Sequence, residues 1–262
     1  MPEGDTVWLA AHRLHEALAG RVLTRCELRV PQLATVDLSG RAVLAVLARG
    51  KHLLARIEPD LSLHSHLRMD GSWRLYRPGA NWRGGPGWQV RAVLANAEWT
   101  AVGHLLPVLE LVRTAEEGRL VGHLGPDLLG PDWDLDTAVH RLLAAPDRQL
   151  GEALLDQRNL AGIGNLYRNE VCFLRGVWPA TRVGAVPDLP ALVELTHRML
   201  LRNRTRSDQV TTGDTRPGHR HWVFGRAGRP CLRCGTTVLR ADQGQPARIS
   251  YWCPRCQPVG EQ

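Results

Sequence analysis

Four of the six cysteines form a spaced pattern that restricts the fold of the C-terminal end more than any other feature of the chain. The pattern is C-x2-C, then 18 intervening residues, then C-x2-C, formed by Cys231, Cys234, Cys253 and Cys256. Each pair can direct two thiolates at one ion, and two pairs complete the closed tetrahedral site of structural zinc. Disulfides are disfavoured in the cytosol, and a redox motif is disfavoured because two pairs occur together. The spacing therefore predicts one structural Zn²⁺ ion.

The segment between the two cysteine pairs indicates a hairpin. It reads "TTVLRADQGQPARISYW", which is two strand-like runs around a Gln-Gly-Gln-Pro turn. We therefore expect a zinc-held β-hairpin within a zinc finger that spans residues 223–262.

Charge is distributed unevenly along the chain. The net charge is +7, and 33 residues are basic, but Lys51 is the only lysine. The stretch from Thr196 to Cys256 contains 12 arginines and 3 acids, a net charge of +9, whereas the rest has 21 basic and 23 acidic residues, a net charge of −2. Clustered arginine favours a polyanion partner, most often nucleic acid. The alternative is a solvated arginine-rich surface in a chain with little lysine.

The sequence argues against a membrane or secreted location. No apolar run reaches the 18 or more residues of a membrane span. Glu3 and Asp5 stand where a signal peptide would have a basic stretch and a long apolar run. We expect a cytoplasmic protein without a membrane segment.

Hydrophobic periodicity divides the chain into four parts and predicts an α+β fold. Residues 1–113 begin with a helix over 5–19, capped by Asp5, and continue as short alternating segments typical of an antiparallel β-sandwich or barrel. Residues 114–134 contain Gly-Pro and Pro-Asp steps and are expected to be a linker. Residues 135–222 have helical patterns up to about 203 and then a polar loop, and residues 223–262 form the finger.

The N-terminal sequence "MPEG" can supply a nucleophile. If Met1 is removed, Pro2 presents a secondary amine whose pKa is roughly 8, so that a useful fraction is free base at neutral pH. Such an amine can attack an electrophilic sugar carbon and form an iminium ion. Glu3 is adjacent and could transfer a proton. The alternative is that Met-Pro is simply a common way for a chain to begin.

The stretch "LLDQRNLAGIGNLYRNEV" predicts two helices joined by a tight turn. Gly162 and Gly164 flank the turn, and we expect Asn165 to be the N-cap of the second helix. Backbone N–H groups and an amide at such a corner suit a DNA phosphate. An ordinary helical corner that needs glycine for its geometry is an equally good interpretation of this stretch alone.

Several motifs, in this order, resemble the formamidopyrimidine-DNA glycosylase and endonuclease VIII family. They are "MPEG", "RGKHLL", "SHLRMDGSW", "HLGPDLL", "LLDQRNLAGIGNLYRNEV", "WVFGRAGRPCLRCG" and "ARISYWCPRCQ". The resemblance covers residues 2 to about 257. It implies an N-terminal β-sandwich, a helix–two-turn–helix domain over 135–222 and a C-terminal zinc finger. It also implies a monomeric bacterial DNA glycosylase/AP lyase of base excision repair, associated with the nucleoid through damaged DNA.

The resemblance also implies roles for individual residues. Pro2 would be the nucleophile that forms a Schiff base with C1′ of the damaged nucleotide, and Glu3 would be the proton donor. Lys51 would contact a phosphate near the lesion and support catalysis. Asn165 and Arg248 would hold phosphates on the two sides of the flipped nucleotide. β,δ-Elimination would follow.

Met69, in "HLRMDG", stands where the family places a residue that fills the gap left by a flipped base. An apolar wedge of this kind is common in enzymes that extrude a nucleotide; the alternative is a methionine that fills the core. Asp70 is unusual near DNA and leaves a second wedge residue unassigned. His64 and His66 lie close to this motif, and we assign them no role.

Departures from the family pattern bear on the substrate. Position 4 is glycine, as in endonuclease VIII, and "ANAEWTAVGHLLP" lacks the arginines of the formamidopyrimidine branch. These features favour oxidised pyrimidines over 8-oxoguanine and formamidopyrimidine lesions. The alternative to an enzyme is a non-catalytic zinc-ribbon protein that binds nucleic acid.

Overall fold

The computed structural model describes residues 2–259 and divides into two compact units, one up to His123 and the other from Leu124 onward. The division into residues 1–113, 114–134, 135–222 and 223–262 stays a prediction.

The first unit is a helix and two antiparallel sheets. Its helices are α1 (Gly4–Leu18) and the single turn α2 (Gly118–Val121). Its strands are β1 (Arg21–Val22), β2 (Arg25–Leu28), β3 (Ala42–Arg49), β4 (His52–Ile57), β5 (Leu61–His66), β6 (Ser72–Tyr76), β7 (Val90–Ala95), β8 (Thr100–His104) and β9 (Val108–Arg113). The sheet orders are β1-β3-β4-β5-β9 and β2-β7-β8-β6.

One hydrophobic core joins α1 to the inner faces of both sheets. Val7, Leu14 and Leu18 of α1 pack in it with Leu53 of one sheet and Leu94 of the other. The helical spacing of the apolar residues in α1 and the alternation in the strands explain why these faces are buried together. The predicted sandwich with an N-terminal helix is confirmed.

The second unit is helical and ends in a hairpin. Its helices are α3 (Leu135–Leu143), α4 (Leu150–Leu155), α5 (Asn165–Leu174) and α6 (Leu189–Asn203), and its strands are β10 (Leu239–Gln243) and β11 (Arg248–Trp252). Residues 244–247 connect the two strands, so the turn expected at Gln-Gly-Gln-Pro, residues 243–246, lies one residue further along the chain. The predicted α+β class is confirmed, and residues 204–222 contain no helix or strand.

Two predicted N-caps are wrong, the one at Asp5 by two residues and the one at Asn165 by one residue. Helix α1 begins at Gly4 with Glu3 as its N-cap, so Asp5 lies in the first turn and accepts a hydrogen bond from the Thr6 amide at 2.8 Å. Helix α5 begins at Asn165 with Gly164 as its N-cap. Asp and Asn favour both caps and first turns, since either position places an oxygen near unpaired N–H groups.

The described residues include no helix that is long and apolar enough to cross a membrane.

Candidate functional site

Glu3 and Pro2 lie at the beginning of α1. Glu3 is fully buried and has extended backbone angles, and its carbonyl accepts the first helical hydrogen bond, from Val7 N at 3.0 Å. Pro2 is half-buried. The unpaired N–H groups of a helix start create a positive potential there. A carboxylate and the chain's second residue therefore share the positive end of a helix. Met1 lies outside the described residues.

Lys51 lies on a tight turn rather than in a strand. Gly50 and Lys51 are the two central residues between the paired ends of β3 and β4, Arg49 and His52. Gly50 has φ +58°, a conformation that the first central residue of such a hairpin requires and that glycine adopts without strain. The sequence "RGKH" thus presents the only lysine of the chain at the tip of a rigid hairpin.

Helix α1 and strand β3 run in opposite directions, which brings their functional ends together. Val46 N donates to His15 Nδ1 at 3.2 Å, and Ala19 bridges to Val43. Glu3 precedes His15 by a helical length of about 18 Å, and Lys51 follows Val46 by a strand length of roughly 16 Å. Glu3 and Lys51 therefore lie at the same end of this helix–strand pair.

A histidine cluster lies beside the Lys51 turn. His52 Nδ1 is 2.9 Å from His64 Nε2, and the ring of His66 meets that of His52 edge-on at 5.0 Å. Burial, followed by the fields of His66 and His64, lowers the pKa of His52 to about 3. Burial, followed by the charges of Arg68 and Lys51, lowers the pKa of His66 to about 4. The imidazoles are therefore neutral at pH 7, and Lys51 and Arg68 supply the positive charge.

We expect the first unit to lose stability between pH 6.5 and pH 5. The unfolded chain takes up protons on His52 and His66 as the pH falls below 6.5, whereas the folded chain does not until about pH 3 to 4. Each imidazole should lower the free energy of unfolding by roughly 2 kcal/mol at pH 5 relative to pH 7.5. Denaturant titrations across this range measure the effect.

The control for this prediction is His52→Gln, which should reduce the pH dependence without abolishing it, because burial also lowers the pKa values of His66, His64 and His104. Carboxylates with a lowered pKa, such as Asp156 between Arg158 and Arg148, contribute only below about pH 4. A free energy of unfolding that is constant from pH 7.5 to pH 5 would contradict the prediction.

Met69 projects from the turn that follows β5. Its side chain is 56% exposed, so the alternative that it fills the core is wrong. The preceding residue, Arg68, has φ +50°, and its amide donates to His66 Nδ1 at 2.9 Å. A neutral His66 is needed for this bond, because a protonated imidazole has no acceptor. His66 thus holds the backbone that presents Met69, a contact that the sequence did not indicate.

A second strained turn faces the Met69 turn. Leu105 has φ +47°, which is unusual for a bulky residue. Among the described residues, Leu105 and Arg68 are the two residues other than glycine that have a positive φ. A Cβ on Gly71 would lie 2.5 Å from Leu67 O and 3.1 Å from Leu105 O, so glycine permits the two turns to touch. Together they form a cleft of about 400 Å³, here called the wedge cleft, lined by Arg68, Met69, Asp70, Arg91, Leu105, Leu106 and Pro107.

In the second unit the structure brings Asn165 and Arg248 close together. Asn165 Nδ2 donates to the carbonyl of Ile249 at 3.0 Å, and Ile249 directly follows Arg248, which is exposed at the start of β11. The amide of Asn165 therefore holds the finger hairpin instead of pointing away from the protein. The N-terminal turn of α5 and the hairpin tip form one surface.

A buried arginine that the sequence did not single out fixes this arrangement. Arg168 is fully buried, and its guanidinium donates to Gln243 Oε1 at 2.6 Å, to Ile249 O at 3.0 Å and to Asn165 Oδ1. An arginine in an amphipathic helix ordinarily indicates a solvated face. Here it lies three residues after Asn165, a spacing that places both side chains on one face of α5.

The four cysteines converge as the spacing predicts. The Sγ atoms of Cys231, Cys234, Cys253 and Cys256 all lie within 4.8 Å of one another. Cys231 and Cys256 are 4.0 Å apart, and Cys234 is 3.5 Å from both Cys253 and Cys256. A tetrahedral Zn–S₄ centre requires about 3.8 Å between sulfurs. The geometry therefore fits one tetrahedral metal ion.

Sequence profiles of two protein families match the chain. Residues 1–124 match the "Formamidopyrimidine-DNA glycosylase N-terminal domain", and residues 124–194 match the "Formamidopyrimidine-DNA glycosylase H2TH domain".

Curated relatives match over nearly the full length. The chain is 61% identical over 261 residues to "Probable endonuclease 8 2" of Streptomyces coelicolor, covering 98% of this chain and 94% of the relative. It is 49% identical over 257 residues to "DNA-(apurinic or apyrimidinic site) lyase Nei2" of Mycolicibacterium smegmatis, covering 98% and 99%.

Solved structures share the fold. The crystal structure of the Lactococcus lactis Fpg in complex with DNA containing an abasic site has a TM-score of 0.82 and 23% identity, and the match covers 98% of this chain and all of that one.

Proposed function

The chain belongs to the family of formamidopyrimidine-DNA glycosylases and endonucleases VIII, and from this premise we propose that it is a bifunctional DNA glycosylase/AP lyase of base excision repair. The observation that carries the proposal is the end of α1, where Pro2 and the fully buried Glu3 lie at the same end of the helix–strand pair as Lys51.

In this mechanism the amine of Pro2 is the nucleophile. With Met1 removed, its lone pair attacks C1′ of the damaged nucleotide, and the bond from C1′ to the base breaks with its electron pair on the base, which takes up the proton that the amine loses. Glu3 protonates the deoxyribose ring oxygen as the ring opens, which leaves an iminium ion between Pro2 and C1′. The iminium ion acidifies the neighbouring C2′ hydrogen, and loss of the 3′ and then the 5′ phosphate nicks the strand on both sides of the sugar.

Lys51 suits a role beside this centre. Its ammonium is a compact charge that can exchange a proton, whereas arginine is a bulkier planar fork that stays charged. The hairpin tip fixes its position, and the neutral histidines beside it do not compete for a phosphate. We propose that Lys51 contacts a phosphate near the lesion and assists proton transfer.

The remaining contacts to DNA come from both units. We propose that Asn165 and Arg248 hold the backbone on either side of the flipped nucleotide, and that Met69 fills the gap in the stack. The exposure of Met69 and the bond between Asn165 and the residue after Arg248 support these roles. The arginine-rich stretch from Thr196 to Cys256 supplies the accompanying positive field.

Replacing Arg248 by alanine should weaken binding to lesion-containing DNA about tenfold at low salt. It should also reduce the slope of log affinity against log salt concentration by about one, which corresponds to the loss of one phosphate contact. Titrations of fluorescent DNA at several salt concentrations measure both quantities. Arg240→Ala is the matched control, because Arg240 pairs with Tyr251 on the same hairpin and therefore points to the face opposite Arg248. Zinc content should not change in either variant. Equal affinity of Arg248→Ala and wild type would remove Arg248 from the interface.

We propose that the four-cysteine site binds a single structural Zn²⁺. The set of four thiolates and the sulfur separations of 3.5 to 4.0 Å support zinc, and a closed set of four protein ligands leaves no position for catalysis. The residues that hold the ion are Cys231, Cys234, Cys253 and Cys256, and the ion supplies rigidity to the hairpin that carries Arg248.

We propose oxidised pyrimidines as the preferred lesions. Gly4, the absence of arginine from residues 95–107 and relatives named endonuclease 8 support this choice. A panel of oligonucleotides that contain thymine glycol, 5-hydroxycytosine, 8-oxoguanine or a formamidopyrimidine tests it; faster excision of the purine lesions would reverse the assignment. We also propose that the protein acts as a monomer in the bacterial cytoplasm, at the nucleoid.

Borohydride trapping tests the proposed reaction. Protein whose N-terminus is Pro2 by mass analysis is mixed with DNA that contains an abasic site or thymine glycol, and the iminium ion is reduced. We expect a stable covalent complex whose cross-link maps to Pro2. DNA binding without any adduct would support the non-catalytic zinc-ribbon alternative instead.

A further inference from the structure

Trp88 is the most exposed large apolar side chain of the described residues, with 70% of its surface accessible. It lies on the short 3₁₀ turn Gly87–Gln89. Five of the other tryptophans have a ring or guanidinium against one face, namely Trp8, Trp82, Trp99, Trp133 and Trp222. Within residues 2–259, no such partner covers Trp88. Its indole is an aromatic surface that the fold leaves open.

The backbone connects Trp88 to the wedge cleft. Leu105 N donates to the carbonyl of Gln89, the next residue, at 2.8 Å. Arg91 Nη1 donates to the carbonyl of Trp88 itself at 2.6 Å, and Arg91 also lines the wedge cleft. The turn that carries the exposed indole therefore forms part of the rim of the cleft from which Met69 projects.

The charges around this rim favour a nucleic acid. Arg68 and Arg91 line the cleft, and Asp70 is the single acid among its lining residues. Aromatic faces beside guanidinium groups are the usual surface for unpaired bases, because the arginines bind the phosphates of the backbone while the aromatic ring stacks on a base. A purely apolar protein partner would leave Arg68 and Arg91 to be desolvated without a counter-ion.

We propose that Trp88 stacks on an unpaired base next to the gap that Met69 fills. The inference rests on the proposed function, since it needs a DNA strand at the wedge cleft. Extrusion of a damaged nucleotide leaves a base on the other strand without its partner, and an indole at the rim offers that base a new stacking surface. Stacking should contribute most where the bases around the lesion are already unpaired, because no base pair must open first.

Binding to an abasic analogue separates stacking from other effects. The probe is a tetrahydrofuran site placed either in a full duplex or in a five-nucleotide bubble. Trp88→Ala should weaken binding to the bubble about tenfold and to the duplex clearly less. Trp88→Phe should stay within about threefold of wild type, whereas Trp88→Leu should resemble alanine. Wild-type affinity of Trp88→Ala for the bubble, or a leucine variant as good as phenylalanine, would overturn the proposal.

Two controls keep the outcomes distinguishable. Val22→Ala removes an apolar side chain that is 52% exposed, and Val22 pairs with Ala42 at the end of β3 away from Lys51, so its DNA affinity should match wild type. Borohydride trapping with wild-type protein tests the proposed function separately. An adduct together with an unaffected Trp88→Ala would refute the stacking role alone, and a Trp88 effect without an adduct would refute the covalent chemistry alone.

Discussion

A form of the protein that retains one extra residue before Pro2 should give no borohydride-trapped adduct with abasic DNA. The extra residue converts the amine of Pro2 into an amide, whose nitrogen lone pair is delocalised and cannot attack C1′. Loss of a covalent nucleophile costs rate factors on the order of a thousandfold or more. Adduct formation and strand nicking are quantified on denaturing gels with matched protein and DNA concentrations.

The control for this prediction is Pro2→Gly. Glycine is also small enough for removal of Met1, and it leaves an α-amine with a pKa of roughly 8, so a reduced but measurable amount of adduct should form. DNA affinity of the extended protein should stay within about threefold of wild type, because Asn165 and Arg248 are unchanged. Efficient trapping by the extended protein would transfer the nucleophile to another amine, for which Lys51 is the only side-chain candidate.

Regular elements and the cysteine cluster could be predicted because each depends on a local pattern. The helical spacing of Val7, Ala11 and Leu14 and the alternation in the strands each repeat several times, so that a single exception does not change the assignment. The cysteine spacing similarly restricts four side chains at once. Helix starts are less constrained. The sequence predicts Asp5 and Asn165 as N-caps, whereas both residues lie within the first turn of their helices.

Features that depend on tertiary contacts could not be predicted in the same way. Met69 could fill a core or a DNA gap, and only the fold shows that it is exposed. Arg168 has the spacing of a surface residue, and its burial follows from the hairpin that covers it. The contact of His66 with the Arg68 amide depends on a left-handed turn that nothing in "HSHLRM" required. Trp88 lies in a glycine-rich loop whose position follows from the pairing around β7.

The second large effect concerns the proposed structural Zn²⁺ ion. Cys253→Ala, or removal of the ion by a chelator, should unfold the finger and lower DNA affinity by about a hundredfold or more. The hydrophobic cluster of the finger is small: its buried residues are Val223, Cys231, Val238 and Cys253, together with Phe173 of α5, and Cys231 and Cys253 are two of the proposed metal ligands. In zinc-finger peptides, metal binding contributes about 10–16 kcal/mol to folding, far more than so few apolar side chains provide.

The consequence extends to the DNA interface through two contacts. Cys253 N donates to Gln257 Oε1 at 3.0 Å, and Gln257 Nε2 donates to Val177 O at 2.8 Å, so that the second cysteine pair ties the finger to the helical part of its own unit. Without the ion, β11 loses this support, and Asn165 and Arg168 lose the Ile249 carbonyl that aligns them with Arg248.

Zinc content, circular dichroism and DNA titration together measure the loss. Cys172→Ala is the matched control, because Cys172 is buried in α5 away from the metal ligands and its thiol pKa is raised to about 12 by burial. This control should keep its zinc and lose only modest stability. If Cys253→Ala bound DNA like wild type, the ion would be dispensable and the position of Arg248 would have to be set by Arg168, Gln243 and Asn165 without the metal.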